Sequence, residues 1–400
     1  MGGELIVTPS PRLFAEFTLN RVNVLRACPI LDTGVTWMKR LLIQSLERER
    51  QGGWGLPTIS AVLLVACPSL CYTLLLMRKR AFSGARPTGR QHIGNYLGAI
   101  QNYVKLQDEY DCVYCIVDIH ALTSLEDTRQ LQPNIRNLAL DWIAAGIDPE
   151  RSIIFVQSHV PEVMELSTFL GMITPLSWLL RVPTFKDKVK IQPHNVNYGL
   201  VGYPVLMTAD IVLYKAEAVP VGEDQLPHLE LAREIVRRFN SLFGNTFPEP
   251  EAKLTIAPLI LGLDGKEKMS KSLGNDIELA LTPQGTIERV RTAVTDPARR
   301  YRADPGHPEV CNVYRLHQHF NPPQLERIER ECRSAGLGCV DCKMLLAEGI
   351  NELLAPLRER RAALAARPEY ITRVLADGAE RARIIARETI REVKQRMNLV

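Results

Sequence analysis

The stretch SGARPTGRQHIGNYLGA, residues 83–99, decides the fold class. It has four glycines and one proline in seventeen residues, and it follows the short run KRAF at 79–82. We expect a strand to end near Phe82, the backbone to turn at Ser83 and Gly84, and a helix to begin at HIGN. Free N–H groups at a helix start attract phosphate, so the pattern indicates a phosphate site, although a plain tight turn would look the same.

The runs that follow place this unit in a parallel sheet. Apolar runs at 112–119 and 152–158 enclose a helical stretch at 128–147 that ends at Gly146. Alternation of strand, helix and strand is typical of an α/β protein with crossover helices. We therefore predict a Rossmann-type doubly wound parallel sheet, followed by an all-helical region from about residue 284 onward.

Composition sets limits on partners and on the redox compartment. The chain has 400 residues, a formal net charge of +4 and nine cysteines. The mild positive charge permits a polyanionic partner without requiring one. The odd number and uneven spacing of the cysteines argue against a secreted disulfide framework and for reduced thiols or a metal site. The basic residues at 381–396 would contact either RNA phosphates or only solvent.

An apolar segment near the N-terminus departs from this pattern. ISAVLLVACPSLCYTLLLM, residues 59–77, carries no formal charge, and three basic residues follow it. Its length and flank permit a membrane helix or a targeting segment. Alternatively, the reading frame begins too far upstream and Met77 is the true start. Residues 1–76 are thus an N-terminal extension that either inserts in a membrane or is not translated.

A second loop, DGKEKMSKSLGN at 264–275, carries Lys268 and Lys271 among small polar residues. Two ammonium groups on a mobile loop can close over a triphosphate and stabilise charge while the α-phosphorus is attacked. Most lysine-rich loops are simply solvated, however. The pairing of this KMSKS loop with the HIGN turn is more specific than either motif alone.

This pair resembles the two nucleotide motifs of class I aminoacyl-tRNA synthetases. Four further stretches are similar to the bacterial tryptophanyl branch of that family: 115–123, 184–188, 203–234 and 293–296. The resemblance covers 77–400 and implies a Rossmann catalytic domain at 77–280 and a helical tRNA anticodon-binding domain at 281–400. It also implies activation of L-tryptophan with ATP and Mg²⁺ and transfer to tRNA(Trp), by a cytoplasmic homodimer without a stable membrane partner.

The segment YPVLMTAD at 203–210 offers a pocket for an indole. Met207 and Asp210 are three residues apart and share one helical face. A methionine makes a favourable soft contact with an aromatic ring. A buried aspartate can accept the indole N–H, and phenylalanine would leave that carboxylate unpaired. Without the family, core packing explains Tyr203 and Met207 as well, and a helix cap explains Asp210.

Residue by residue, the resemblance implies three groups. The catalytic lysines are Lys188, Lys268 and Lys271. The ATP-binding residues are Arg86, Pro87, Thr88, His92, Gly94, Asn95, Gly222, Glu223, Asp224, Leu259, Lys268, Met269, Ser270, Lys271 and Ser272. The tryptophan-binding residues are Phe82, Gly84, Val117, Tyr203, Met207, Asp210 and Gln225. Arg86 departs from the family, which very often has glutamine there, so a cation would serve ATP at this position.

Four cysteines in the tail are spaced C-x20-C-x6-C-x2-C, and they are Cys311, Cys332, Cys339 and Cys342. Four thiolates suit Zn²⁺ or an iron–sulfur cluster. The spacing resembles that of bacterial tryptophanyl-tRNA synthetases with a [4Fe–4S] cluster in the tRNA-binding domain, which implies a structural cluster. Zinc and unrelated thiols stay open. CVYC at 112–115 is strand-like, so its two cysteines point to opposite faces and we expect them in the core.

Two other functions stay open. Tyrosyl-tRNA synthetases share the fold and the KMSKS-type loop but recognise a phenol, and the stretch at 207–225 favours tryptophan. A non-catalytic relative that senses tryptophan or binds RNA would keep the fold. The intact HIGN, Lys188 and KMSKS residues argue against that second alternative.

Overall fold

The computed structural model describes residues 78–191, 193–254 and 260–400, except for the side chains of residues 184, 187, 188 and 191. Residues Arg78–Val400 form one compact unit. The apolar segment at 59–77 and the predicted start at Met77 lie outside the described residues. Among the helices of the described ranges, none is both long and apolar enough to cross a bilayer.

A five-stranded parallel sheet lies at the centre of the unit. Its strands are β1 (Arg80–Ala85), β2 (Asp111–Ile116), β3 (Ile153–Val156), β4 (Ala218–Val221) and β5 (Glu251–Leu254). Their spatial order is β3-β2-β1-β4-β5, and all neighbouring pairs are parallel. This confirms the predicted Rossmann-type sheet. The direction of winding reverses between β1 and β4, and ligands bind at the carboxyl ends of strands beside such a reversal.

Helices cover both faces of the sheet. The helices that precede residue 250 are α1 (Ile93–Asn95), α2 (Gln101–Leu106), α3 (Asp118–Ala121), α4 (Leu131–Ala145), α5 (Glu162–Ile173), α6 (Leu176–Arg181), α7 (Pro183–Ile191), α8 (Tyr198–Val212) and α9 (Leu226–Phe243). A π-helical stretch, Tyr96–Ile100, joins α1 to α2. As predicted, α4 ends at Gly146, whose φ of 117° permits the left-handed cap.

The tail is helical, as the sequence indicates. Its helices are α10 (Pro283–Arg291), α11 (Asn312–Phe320), α12 (Leu325–Arg333), α13 (Cys339–Ala365) and α14 (Pro368–Arg396). Helix α13 packs against α4 and α10, whereas α14 lies along β3 and α5. The division of the chain near residue 280 stays a prediction, because 78–400 is one compact unit.

Strand β1 is longer than predicted. It continues past Phe82 to Ala85, so the expectation that Ser83 and Gly84 form the turn was wrong. The hydroxyl of Ser83 donates to the buried Tyr103 hydroxyl at 2.7 Å, which satisfies this polar side chain inside the strand. Gly84 matters through close approach, because an added Cβ would lie 2.9 Å from Cγ1 of Val117.

Two sequence interpretations have clear outcomes in the packing. Cys112 and Cys115 belong to separate apolar clusters on the two faces of the sheet, which confirms core packing. The predicted RNA or solvent contacts of 381–396 stay a prediction, but several cations of α14 also have protein partners that the sequence did not predict. Arg383 donates to Glu162 of α5 at 3.1 Å, and Nζ of Lys394 lies 2.6 Å from the Glu165 carboxylate. These cations dock α14 onto α5.

Candidate active site

A cavity of about 310 Å³ opens at the carboxyl ends of β1, β2 and β4, beside the winding reversal. Its volume is at the small end of the range for small-molecule sites. Its wall brings together every residue predicted to contact tryptophan: Phe82, Gly84, Val117, Tyr203, Met207, Asp210 and Gln225. Two predicted ATP residues, Arg86 and Gly222, line it as well. The residues that the sequence assigned to tryptophan thus lie together in one cavity, and their role in binding stays a prediction.

Asp210 is the buried acid of the cavity. It lies inside α8, so a helix cap is not its role, and only 2% of it is exposed. Its Oδ1 and Oδ2 accept from Nε2 of Gln157 at 2.8 and 2.9 Å. The Nε2 atom of His120 lies 2.9 Å from Oδ2. The expectation that this carboxylate depends on the ligand alone for a partner was therefore wrong.

The sequence reasoning missed His120 and Gln157. His120 lies on α3, just beyond β2, and Gln157 begins the short turn Gln157–His159 that follows β3. Each is therefore a polar residue at the carboxyl end of a buried parallel strand. That position was the available signal, since such residues meet at the ligand edge of the sheet.

The electrostatics of the wall are asymmetric. Burial raises the pKa of Tyr203, although nearby Arg86 opposes this, and burial raises that of the Cys115 thiol well above its usual range. Both groups are therefore neutral at pH 7. Exposed Arg86 places a cation in the wall, and buried Asp210 places an acceptor in it. This arrangement suits a ligand with an anionic end and an N–H donor on an apolar ring.

The HIGN turn forms a reciprocal helix cap. The backbone N–H of Asn95 donates to Nδ1 of His92 at 3.3 Å, and Oδ1 of Asn95 accepts from the His92 backbone at 3.1 Å. Burial lowers the pKa of His92, and the charge of Lys268 lowers it further against the opposite effect of Asp276. The imidazole is then neutral with its proton on Nε2, which makes Nε2–H a donor for an anionic ligand.

The KMSKS loop lies against the HIGN turn. The backbone N–H of Ile93 donates to the Ile277 carbonyl at 2.9 Å. Met269 is buried, and its Cβ would lie 3.4 Å from a Cβ added to Gly94. The Nζ atom of Lys271 would lie 2.8 Å from a Cβ added to Gly89. The two predicted nucleotide motifs, far apart in the sequence, thus meet in the fold.

Some predicted ATP residues lie outside the cavity wall. Among the described residues, the predicted ATP-binding residues that do not line the cavity are Pro87, Thr88, His92, Gly94, Asn95, Glu223, Asp224, Lys268, Met269, Ser270, Lys271 and Ser272. Those of the HIGN turn and the KMSKS loop form a neighbouring surface, and Glu223–Gln225 is a short turn after β4. Leu259 and the side chain of Lys188 lie outside the described residues.

The four tail cysteines are close enough to affect one another. Burial raises the pKa of the Cys342 thiol to about 12, and the charges of Cys311, Cys332 and Cys339 add to this effect. Nε2 of His317 lies 3.4 Å from the Cys342 sulfur. Across the described ranges, however, no three or more His, Cys, Asp or Glu side chains are arranged as ligands of a metal ion.

Comparison with known proteins agrees with this geometry. The family model for class I tRNA synthetases of the tryptophan and tyrosine type matches residues 77–355. Tryptophan–tRNA ligases of Deinococcus radiodurans and Thermotoga maritima are 48% and 46% identical to the chain, over 80% of this chain and 99% of each relative.

A solved structure is similar over the same part of the chain. Tryptophanyl-tRNA synthetase of Campylobacter jejuni, complexed with ADP and tryptophan, is 34% identical and superposes with a TM-score of 0.74. The match covers 80% of this chain and 99% of that one. The parallel sheet, the joined HIGN and KMSKS motifs and these similarities lead to one conclusion: the chain belongs to the class I aminoacyl-tRNA synthetases, in the tryptophanyl-tRNA synthetase branch.

Proposed function

We propose that the cavity binds L-tryptophan with its indole N–H donated to Asp210, and that ATP binds beside it across the HIGN turn and the KMSKS loop. The chain is a tryptophan–tRNA ligase. The observation that carries the proposal is Asp210 itself. It is a carboxylate buried in a cavity wall that also contains the apolar side chains of Phe82, Val117 and Met207.

In the activation step, a carboxylate oxygen of tryptophan attacks the α-phosphorus of ATP. A new P–O bond forms, the bond to the β-phosphate oxygen breaks, and pyrophosphate leaves. The protein contributes position and charge rather than a nucleophile. The neutral imidazole of His92 donates from Nε2, and Lys268, Lys271 and Lys188 stabilise the negative charge of the phosphates. Mg²⁺ accompanies ATP and neutralises part of that charge.

In the transfer step, a ribose hydroxyl at the tRNA 3′ end attacks the tryptophanyl carbonyl, a new ester bond forms, and AMP leaves. We assign tRNA binding to residues 281–400, and the catalytic steps to residues 77–280. We also propose a cytoplasmic location for an enzyme that acts on these substrates. Several cations of α14 pair with carboxylates of α5, so we assign the RNA contact mainly to other basic side chains of the helical region.

We further propose that the enzyme is a homodimer. Large apolar side chains are exposed on three helices of the catalytic region: Met172 is 78% exposed, Leu176 60% and Tyr198 86%. They lie on α5, α6 and α8, and Tyr198 and Met207 share helix α8 with Asp210. Exposed apolar side chains of this kind suit contact with a second copy of the chain. Light scattering coupled to gel filtration measures the mass directly.

The four cysteines are assigned a structural [4Fe–4S] cluster, with Zn²⁺ as the alternative. Support comes from the four-thiol donor set and from the mutual effect of these thiols on the pKa of Cys342. The residues that would hold the group are Cys311, Cys332, Cys339 and Cys342. When bound, it would cross-link the segment before α11 to α12 and α13. Iron, labile sulfide and zinc contents after anaerobic purification distinguish the two metals.

The experiment that tests tryptophan recognition uses an analogue without the donor. Binding of tryptophan and of 1-methyltryptophan is compared by calorimetry, for the wild type and for Asp210→Ala. A lost hydrogen bond to a charged group is worth about 10- to 100-fold in affinity. We expect the wild type to prefer tryptophan by at least that factor, and the variant to lose the preference. Equal binding of both ligands by the wild type would contradict the proposal.

A further inference from the structure

Gln157 is outside the cavity wall and yet contacts its central acid. It is 1% exposed and lies directly after β3. We propose that Gln157 is a positioning residue that orients Asp210 toward the indole N–H, and that it thereby sets the discrimination between tryptophan and phenylalanine. This inference rests on the proposed function, because it concerns the same cavity.

Neighbouring backbone groups fix the direction of the Gln157 amide. Its Oε1 accepts from the backbone N–H groups of Ile119 and His120 at 3.2 and 3.3 Å. A flipped amide would turn its NH₂ group onto these two donors. Its Nε2 must therefore face Asp210, where it lies 2.8 and 2.9 Å from the two carboxylate oxygens. One side chain thus links the ends of β2 and β3 to α8.

This orientation prepares Asp210 to accept a ligand N–H. A carboxylate buried without donors would be strongly disfavoured as an anion. Here Gln157 contacts both oxygens and His120 contacts Oδ2. A carboxylate has about four acceptor positions, so Oδ1 keeps capacity for a third donor. Without Gln157, the Asp210 side chain loses its orientation and two of these three contacts.

The same contacts bear on His120. An ionised Asp210 only accepts, so the proton of a neutral His120 ring lies on Nε2. Its Nδ1 is then an acceptor, and it is buried with no hydrogen-bond partner among the described residues. Since Gln157 also holds the His120 backbone, a change at Gln157 alters two polar groups of the cavity wall together.

A purely structural role for Gln157 is the competing explanation, and Gln107 is a matched control. Gln107 is also a buried glutamine with a fully used amide. It accepts from the Asp148 backbone at 2.8 Å and from Ser152 at 2.9 Å, and it donates to the Val104 and Gly146 carbonyls at 3.1 Å. It is not part of the cavity wall. Its loss disturbs packing without affecting Asp210.

The experiment compares Gln157→Met with Gln107→Met in amino-acid-dependent ATP–pyrophosphate exchange. For Gln157→Met we expect KM for tryptophan to rise about 10- to 100-fold and KM for ATP to change less than about twofold. The preference for tryptophan over phenylalanine should fall by a similar factor. For Gln107→Met we expect a lower melting temperature and unchanged KM values.

Gln157→Glu adds a pH-dependent readout. At pH 8 the new carboxylate repels Asp210 and we expect the same loss, whereas at pH 6 a proton shared by the two carboxyls partly restores the KM for tryptophan. The titratable groups around Asp210 and position 157 are His120, Cys115, Asp118, Tyr203, Tyr214 and, near Tyr203, Arg86 and Asp224. Burial raises the pKa of the thiol and of both phenols, so they stay neutral. His120 and Arg86 are also present in the wild type, so the variant-to-wild-type ratio isolates the new carboxyl.

Two results would overturn the inference. One is a Gln157→Met variant whose KM for tryptophan and whose preference for tryptophan over phenylalanine both equal those of the wild type. The other is a parallel rise in both KM values together with a lower melting temperature, which would show a structural role. A wild type that performs no tryptophan-dependent exchange at all would instead refute the proposed function, so the two failures are distinguishable.

Discussion

Alanine in place of either of two helical glycines is predicted to change the free energy of unfolding in opposite directions. Gly378 on α14 faces β3, and an added Cβ would overlap the carbonyl oxygen of Ile154 and lie 2.8 Å from its carbon. Both atoms are backbone, so α14 itself must move. Gly171 on α5 has no atom within 4 Å of an added Cβ. Alanine at the two positions therefore gains the same helix propensity but meets different surroundings.

The magnitudes follow from these contacts. Alanine in place of glycine favours a helix by about 1 kcal/mol. At Gly378 the clash is with backbone, so overpacking against the strand costs about 2–3 kcal/mol, at the upper end of its usual range, and shifts the neighbouring buried side chains Val374 and Leu375. The net effect of Gly378→Ala is a loss of about 1–2 kcal/mol in the free energy of unfolding. Gly171→Ala should raise that free energy by about 0.5–1 kcal/mol.

Thermal unfolding of the two variants beside the wild type is the assay. A change of 1 kcal/mol moves the melting temperature of a 150–250-residue protein by about 2–4 °C, and somewhat less for a longer chain. We expect Gly378→Ala to melt below the wild type and Gly171→Ala to melt above it. A Gly378→Ala protein as stable as the wild type would refute the close packing of α14 on β3.

Three further predictions concern charge and the nucleotide loops. Burial alone would raise the pKa of Glu162, but hydrogen bonds from two arginines of α14 leave this pKa below its usual 4.5. The stability that ionised Glu162 contributes to the fold is thus complete above pH 4.5 and is lost as the pH falls through the folded pKa. Glu162→Gln should therefore flatten the acid limb of a pH-dependent urea titration. Gly89→Ala places a Cβ against Lys271 at a φ of 152° and should raise KM for ATP about tenfold, with KM for tryptophan unchanged in exchange kinetics. Arg361→Met removes the cation that pairs with the buried Asp141 and should cost about 3–5 kcal/mol in thermal unfolding. A Glu162→Gln pH profile parallel to that of the wild type would contradict the first prediction. A wild-type KM for ATP in Gly89→Ala would contradict the second, and a wild-type melting temperature of Arg361→Met the third.

Much of the fold and of the cavity wall could be predicted because local patterns determine them. Alternating apolar strands and amphipathic helices are typical of a parallel sheet, and the spacing of Met207 and Asp210 places both on one face of α8. The family motifs supplied the other wall residues that were predicted. All seven predicted tryptophan contacts meet at one cavity.

What the sequence did not predict depends on contacts between distant segments. Gln157 and His120 matter because β3 and β2 end beside α8, and no local pattern identifies which polar residue meets Asp210. The same applies to Arg383, whose partner Glu162 precedes it by 221 positions. A basic helix looks solvated until the acidic face that it packs against is known. Strand β1 was predicted too short because Ser83 is polar, and its partner Tyr103 lies on another element.

The central claim is that this chain activates tryptophan through the cavity around Asp210. Amino-acid-dependent ATP–pyrophosphate exchange tests it most directly, with residues 1–400 purified without oxygen and given tryptophan, tyrosine or phenylalanine in parallel. We predict exchange with tryptophan and background rates with the other two. Exchange with tyrosine in place of tryptophan, or none with any of the three from a folded protein that binds tryptophan, would contradict the account.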